Sequence, residues 1–438
     1  MTVDKAYNDC LKAMYSLRRF GIKMGLSTIR RILKELGNPQ DHFGCIHVAG
    51  TNGKGSIASG IASILNTAGY RTGLYTSPHL VTFNERISIN GRHISNAGVV
   101  GAYEAVKNVH HGSREPTFFE FATAMALYDF DRESIDWAVI ETGMGGRLDA
   151  TNIVRPTVSI ISNLSLEHQD YLGNSLAQIA GEKGGIIKKG IPVVTGVRQP
   201  GALSVLNDIA TAKSAPVFRL GKDFRVRRKS GNAFTFFGIQ NRWPNMKTSL
   251  MGRHQVDNAA ISLAACELLN RAGVSISEEN CRQGLFNLCW PGRLEIISES
   301  PRIILDGAHN LVAARNLATF LAQETDQRPI TMVIGILDDK PYEAMLSALI
   351  PVTQKVIFTR PKIDRGLPPE TLYAEARQYG KDMTLMPDVH RAVQHAVNQA
   401  APDDVICIAG SLYVVGEAKL SLPHILPSEP LDLTETLS

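Results

Sequence analysis

Apolar and polar positions along this chain alternate with two periods. Tyr7, Leu11, Met14, Leu17 and Phe20 recur at helical spacing and predict a helix over 7–20. Short apolar runs follow at 44–49, 71–76, 136–142, 156–162, 191–195 and 215–219, and read as strands. Helical patterns lie among them at 57–68, 96–109, 117–130, 175–188 and 201–213. Such alternation implies an α/β fold with a mostly parallel sheet covered on both faces. The stretch 222–252 differs: Phe224 to Arg227 and Phe234 to Phe237 alternate around Ser230-Gly231-Asn232, which predicts a hairpin. Helices at 254–272 and 276–287 close this part.

Trp290-Pro291-Gly292-Arg293 breaks the pattern, and a second βα series begins. Its strands are expected at 302–306, 330–336, 355–359, 383–386 and 404–409. Its helices are expected at 310–323, 341–349, 368–379 and 388–400. The organisation expected is therefore a first domain over 1–296 with a linker at about 290–297, and a smaller α/β domain over 297–420. A flexible tail over 421–438, with three prolines, would follow. No internal repeat is visible.

Composition changes this picture little. Apolar residues make up 44% and charged residues 20%, ordinary for a soluble globular protein of 438 residues. A net charge of +4 is too small to argue for nucleic acid or an acidic membrane. The six cysteines form no C-x-x-C pair, so reduced thiols in a cytoplasmic protein are expected. No secretory h-region and no run approaching membrane-spanning length is present.

The chemistry enters at Gly50-Thr51-Asn52-Gly53-Lys54-Gly55-Ser56, between a predicted strand and a predicted helix. Glycines let backbone N–H groups close around phosphate oxygens, and the helix N-terminus adds its positive dipole end. Lys54 would reach the outer phosphates and the Ser56 hydroxyl would sit on Mg²⁺. The loop is shorter than G-x-x-x-x-G-K-[ST], and Gly55 separates Lys54 from the hydroxyl. A Gly-rich turn without ligand is the plainer reading, but strand, Gly-Lys, hydroxyl and helix coincide in the order the mechanism needs.

Other groups cluster at predicted strand ends, where α/β sheets bind ligands. Glu141 opens the run Glu141 to Asn152, with Arg147 and Asp149, and is placed like a metal-holding acid. His168 follows the next strand, where a structural or exposed imidazole competes with a ligand role. Ser77 either coordinates a metal or turns the chain. Gly184-Gly185 interrupts a helical pattern at a cost of about 1 kcal/mol each, which hints at close packing against a ligand. Lys183 beside them reads locally as a solvated lysine. Asp306 and His309 end the first strand of the second domain, His254 to Asn258 open a helix, and Arg293 lies in the linker. Spacing alone does not say which of these reads a base, a ribose or a phosphate.

Together these motifs resemble the folylpolyglutamate synthase/dihydrofolate synthase family of the Mur ligase superfamily, from about residue 40 to 416. The resemblance rests on His47 to Ser56, Thr76-Ser-Pro-His-Leu80, Glu141 to Asn152, the His168 segment, Glu182 to Ile187, and His254-Gln255 with Asn258. It extends through Pro291 to Glu295, Leu305 to Asn310 and Gly410 to Tyr413. It implies a P-loop ATPase domain joined to a smaller Rossmann-like domain. Thr51 to Ser56 would bind ATP phosphates. Ser56, Ser77, Glu141 and His168 would hold two Mg²⁺ ions, and Lys183 would be carbamylated. Asn258, Arg293 and Asp306 match ATP contacts. His309 and Ser411 match the second-domain face, with Lys54, Lys183, Asp306 and His309 as the catalytic set. Phe118-Phe119, Asp149 and Ala150 match positions near a pterin pocket. Gly184-Gly185 stands where the family usually has Ala-Gly. The first 40 residues match weakly, and Lys23 to Leu26 is noted there without a role.

The activity so implied is an ATP-dependent amide ligase using L-glutamate with dihydropteroate, reduced folates or both. A monomer is expected, with two domains closing to keep water from an acyl phosphate. Two rivals stand beside it. A Mur ligase of UDP-linked cell-wall precursors usually carries an extra N-terminal domain, and here the phosphate loop begins near residue 50. A nucleotide-binding ATPase that ligates nothing would not need the second domain's Asp306 and His309.

Overall fold

The structure is a computed structural model and describes residues 2–17, 25–111, 114–324 and 328–426. The chain divides between Trp290 and Pro291 into two compact units, each with its own sheet.

The first unit contains β1 (Gly44–Ala49), β2 (Thr72–Tyr75), β3 (Ile87–Ile89), β4 (Arg92–His93), β5 (Trp137–Glu141), β6 (Val158–Ile161), β7 (Val193–Thr195) and β8 (Val217–Arg219). Among the described residues they form one sheet in the order β4-β3-β2-β5-β1-β6-β7-β8. From β2 to β8 the pairing is parallel, and β3 and β4 add an antiparallel edge. Those two edge strands were not expected, being too short to show alternation. The central strand β1 is buried along nearly its whole length, hence its continuous apolar run.

Helices cover both faces. On one, Lys54–Thr67 packs with Arg253–Arg271 and with a small antiparallel sheet of β9 (Arg225–Arg228), β10 (Ala233–Phe237) and β11 (Arg242–Lys247). This sheet replaces the simple hairpin expected over 222–252. Its Phe234, Phe236 and Trp243 complete the core there. On the other face lie Asn96–Val109, Phe118–Arg132 and Ser27–Glu35, the last not expected. Each fully buried Ile or Leu in these layers contributes about 1.5–3 kcal/mol.

The second unit contains β12 (Glu295–Glu299), β13 (Arg302–Leu305), β14 (Ile330–Ile334), β15 (Lys355–Arg360), β16 (Asp382–Asp388) and β17 (Val405–Ala409), in the order β12-β13-β17-β14-β15-β16. β12 is antiparallel and the remaining strands are parallel. The last helix runs Leu412–Ile425, so the tail expected from 421 begins inside a helix. Residues 427–438 lie outside the described residues, as do 18–20 of the predicted first helix (observed as Val3–Ser16) and Lys23.

Candidate active site

In the first unit the candidate residues gather where β1, β2, β5 and β6 end. The helix after β1 starts at Lys54, three residues earlier than the pattern suggested, because Gly53 adopts φ 82° and turns the chain directly into it. A Cβ at Gly53 would also meet Asn258 Oδ1 at 2.6 Å, which places Asn258 against the loop. The loop is fixed from behind. Thr51 N donates to Asn163 O (2.9 Å) and Asn52 N to Asn163 Oδ1 (3.0 Å), while Ser162 Oγ donates to Asn52 O (2.7 Å). The backbone N–H groups of Thr51 and Asn52, expected to face phosphate, are therefore committed to the protein. The N–H groups from Lys54 to Ser56 belong to the first helical turn, which has no intrahelical acceptor to offer them.

Lys54 Nζ donates to Thr51 O at 3.1 Å and stands 3.9 Å from Glu141 Oε1. Glu141 is 4% exposed, and its Oε2 accepts the Ser77 N–H at 3.1 Å. Ser56 is buried in the first turn of the helix. The set is thus one carboxylate with hydroxyls, all oxygen. Among the described residues no three His, Cys, Asp or Glu side chains converge. That suits Mg²⁺, which is bound through one or two carboxylates and completes its shell with phosphates and water. His168 lies exposed at the start of the short helix Gln169–Leu172.

Lys183 is not the solvated lysine its local sequence suggested. It is 1% exposed, and its Nζ donates to Gly50 O (2.7 Å) and Glu167 Oε1 (2.9 Å). Burial pulls its pKa below the ordinary lysine value, with Lys54 adding to the effect and Glu167 opposing it. Burial works against ionised Glu167 too, but the positive charges of Lys183 and Lys54 hold its carboxyl down at about 2. Glu167 is the residue that sequence reading missed, and its only signal was adjacency to His168. The neighbouring glycines pack against protein rather than a ligand: a Cβ at Gly185 would fall 2.3 Å from Arg147 Cα. They sit at the end of the helix Leu176–Gly184, which stops short of the predicted 188.

Asp149 is buried and caps the short turn Ala150–Ile153. Its Oδ1 accepts from Thr151 N (3.0 Å) and its Oδ2 from Met144 N (2.8 Å). Burial raises its pKa while these donors oppose the rise. Phe119 packs over Gly143 and beside Tyr75, with ring centroids 6.0 Å apart. Its position is set by a capping box in which Glu120 N donates to Thr117 Oγ1 (3.2 Å) and Thr117 N to Glu120 Oε2 (2.8 Å). Phe118, expected beside it at a pterin, is already stacked on Tyr15 at 5.6 Å.

In the second unit, Asp306 directly follows β13. Asp306 accepts Leu294 N through Oδ2 and Ala308 N through Oδ1, both at 2.9 Å. Burial raises its pKa, partly offset by Arg293. Gly307 N donates to Gly292 O (2.8 Å), so Arg293, Asp306 and His309 are held together. A carbonyl only accepts, so the 2.8 Å contact of His309 Nδ1 with Gly307 O puts a proton on Nδ1. Ser411 follows β17, the strand beside β13, and its Oγ accepts Val414 N as a helix cap.

The segment 48–266 matches the Mur ligase middle domain, and 292–412 matches the Mur ligase glutamate ligase domain. A dihydrofolate synthase/folylpolyglutamate synthase from Bacillus subtilis is 37% identical over 95% of this chain and 99% of its own length. The chain belongs to the folylpolyglutamate synthase/dihydrofolate synthase family. A folylpolyglutamate synthase from Lacticaseibacillus casei, also of this family, is 37% identical over 95% of this chain and 98% of its own. Among solved structures, E. coli FolC in complex with DHPP and ADP superimposes with a TM-score of 0.88 at 30% identity, covering 95% and 98% of the two chains. Mycobacterium tuberculosis folylpolyglutamate synthase complexed with ADP gives 0.88 at 32% identity over the same shares. The family fold, a parallel-sheet ATPase domain followed by a separate α/β domain, is the one described above. No helix among the described residues is long and apolar enough to cross a membrane.

Proposed function

We propose that this chain uses ATP to join L-glutamate both to dihydropteroate and to the γ-carboxyl of reduced folates, through an acyl phosphate. The observation that carries the reading is the phosphate loop with Lys54 beside the buried carboxylate of Glu141, in a chain of this family. Relatives named for both activities align over more than nine-tenths of this chain, which supports the dual reading.

ATP phosphates would lie against the N–H groups of Gly53 to Ser56, with Lys54 supplying positive charge to the γ-phosphoryl group. Ser56, Ser77 and Glu141 would hold one Mg²⁺, and His168 with carbamylated Lys183 a second. When bound, the ions neutralise charge on the transferring phosphoryl group. A substrate carboxylate oxygen attacks the γ-phosphorus, the bond to the β–γ bridging oxygen breaks, and ADP leaves. The amine of glutamate, having lost a proton, attacks the acyl carbon, and phosphate departs as the amide forms. His309, its Nδ1 donating to Gly307 O, would serve at this step from the second domain. Asn258, Arg293 and Asp306 would contact the nucleotide, and Phe119, Asp149, Ala150 and Ser411 the folate substrate. Ser411 Oγ accepts one N–H at the helix cap and keeps its O–H as a donor. Carbamylation joins the Lys183 nitrogen to CO₂ with loss of a proton, and the lowered pKa raises the neutral fraction that reacts. The product would be an oxygen ligand suited to Mg²⁺.

The test offers ATP, Mg²⁺ and labelled glutamate with dihydropteroate, tetrahydrofolate and a UDP-muramyl substrate in parallel. Labelled product is expected from the first two. Product from tetrahydrofolate alone removes the dihydrofolate synthase half, and product from the UDP substrate alone overturns the reading.

A further inference from the structure

We infer that His47 is a positioning residue for the pterin end of the substrate, acting through Thr151 on Asp149; this rests on the proposed contact of Asp149 with the folate. His47 lies in the centre of β1, fully buried, between β5 and β6. Its Nε2 is 2.8 Å from Thr151 Oγ1. Thr151 Oγ1 is in turn 2.5 Å from Asp149 Oδ1.

The direction of the chain follows from counting protons. A carboxylate accepts and a hydroxyl has one hydrogen, so Thr151 donates to Asp149. Thr151 must then accept from His47, and His47 carries its proton on Nε2. Nδ1 is left as a bare acceptor, and it is a buried atom with no hydrogen-bond partner. An unpartnered acceptor in this position is tolerable only while the ring is neutral, and burial drives the His47 pKa down to about 3. The ring is thus locked in one tautomer and one charge state. Asp149 passes the constraint on. Its other oxygen takes the Met144 N–H, so the turn over which Phe119 packs is held beside Gly143.

His47 touches neither the phosphate loop hydrogen bonds described above nor Glu141. Its loss should therefore fall on folate recognition and not on ATP. In His47→Leu, KM for dihydropteroate should rise at least about tenfold, the order of one buried hydrogen bond lost with its partner left behind. KM for ATP should stay within about twofold. His47→Gln, whose side-chain amide donates an N–H, should recover most of the effect, which a merely structural defect would not. Equal rises in both KM values, or no rescue by Gln, would overturn the assignment. Nitrogen NMR on the wild-type protein gives an independent reading: His47 Nε2 protonated and Nδ1 bare, unchanged from about pH 5 to about pH 9. A proton on Nδ1, or a titration in that range, would overturn it even if the variants failed to fold. Asp149→Asn separates the levels. If it leaves the dihydropteroate KM unchanged, the folate contact and this inference both fall. If it raises that KM while His47→Leu does not, only the inference about His47 falls.

Discussion

The loop at 50–56 and the turn at 141–152 stand at neighbouring strand ends and are built in opposite ways. The first presents backbone N–H groups and a cation, Lys54, with glycine where a side chain would collide with Asn258. The second presents carboxylates, Glu141 and Asp149, each held by backbone N–H donors. One region offers donors and positive charge, and the other offers carboxylates. Lys54, beside Glu141, bridges them electrostatically. The difference teaches that charge at the first region should govern turnover, while order at the second should govern which substrate is held.

The strongest break of that contrast is charge removal. Lys54→Ala and Glu141→Ala should each lower turnover by at least about a hundredfold, since each removes stabilisation at the transferring phosphoryl. Melting temperature should change little, because both lie at a ligand site rather than in a core. Near-wild-type turnover in either purified variant would dismantle the phosphate site. Lys183→Ala should be nearly inactive as well. Short carboxylic acids should restore part of its activity by replacing the carbamate oxygen, and failure of every acid tried would count against the carbamate.

Glu167→Gln, compared with wild type in CO₂-free buffer where Lys183 keeps its ammonium, sharpens the role of buried charge. A carboxyl held at about 2, against an ordinary 4.5, contributes stability that is complete above the ordinary value and is lost as pH falls toward about 2. The variant should melt below wild type at neutral pH, and the gap should close as the solution is acidified through that window. A gap independent of pH would show that packing, not the ion pair, is at stake. The smallest effect separates two nearby glycines. Gly185→Ala should destabilise, because its Cβ meets Arg147 backbone, whereas Gly181→Ala, with open space around it, should be neutral or stabilise by up to about 1 kcal/mol in chemical denaturation.

The first of the two regions was legible because its chemistry is written in consecutive residues. Gly53, Lys54 and Ser56 made a phosphate loop the natural expectation, and the parallel sheet followed from βα alternation. The second was legible only as a list of polar residues. That Asp149 leans on Thr151 and Thr151 on His47 depends on β1 lying beside the turn, a long-range fact with no local signal. Lys183 illustrates the same limit. Its neighbours along the chain suggest solvent, and only the fold brings Gly50 and Glu167 to its nitrogen. Gly184-Gly185 was misread for a related reason, since a close approach was correctly inferred but its partner, the Arg147 backbone, is remote in sequence. The edge strands β3, β4 and β12 escaped because short antiparallel segments carry too few positions to establish a period.

The central claim is that a carboxylate of the folate substrate, not water, takes the γ-phosphoryl group of ATP. It is tested by giving the enzyme ATP, Mg²⁺, glutamate and dihydropteroate labelled with ¹⁸O in its carboxylate, and weighing the released phosphate by mass spectrometry. Attack through an acyl phosphate carries one carboxylate oxygen into each phosphate released, so the account predicts singly labelled phosphate formed in step with the amide. Unlabelled phosphate from active enzyme would mean that water had attacked ATP directly, and would contradict it.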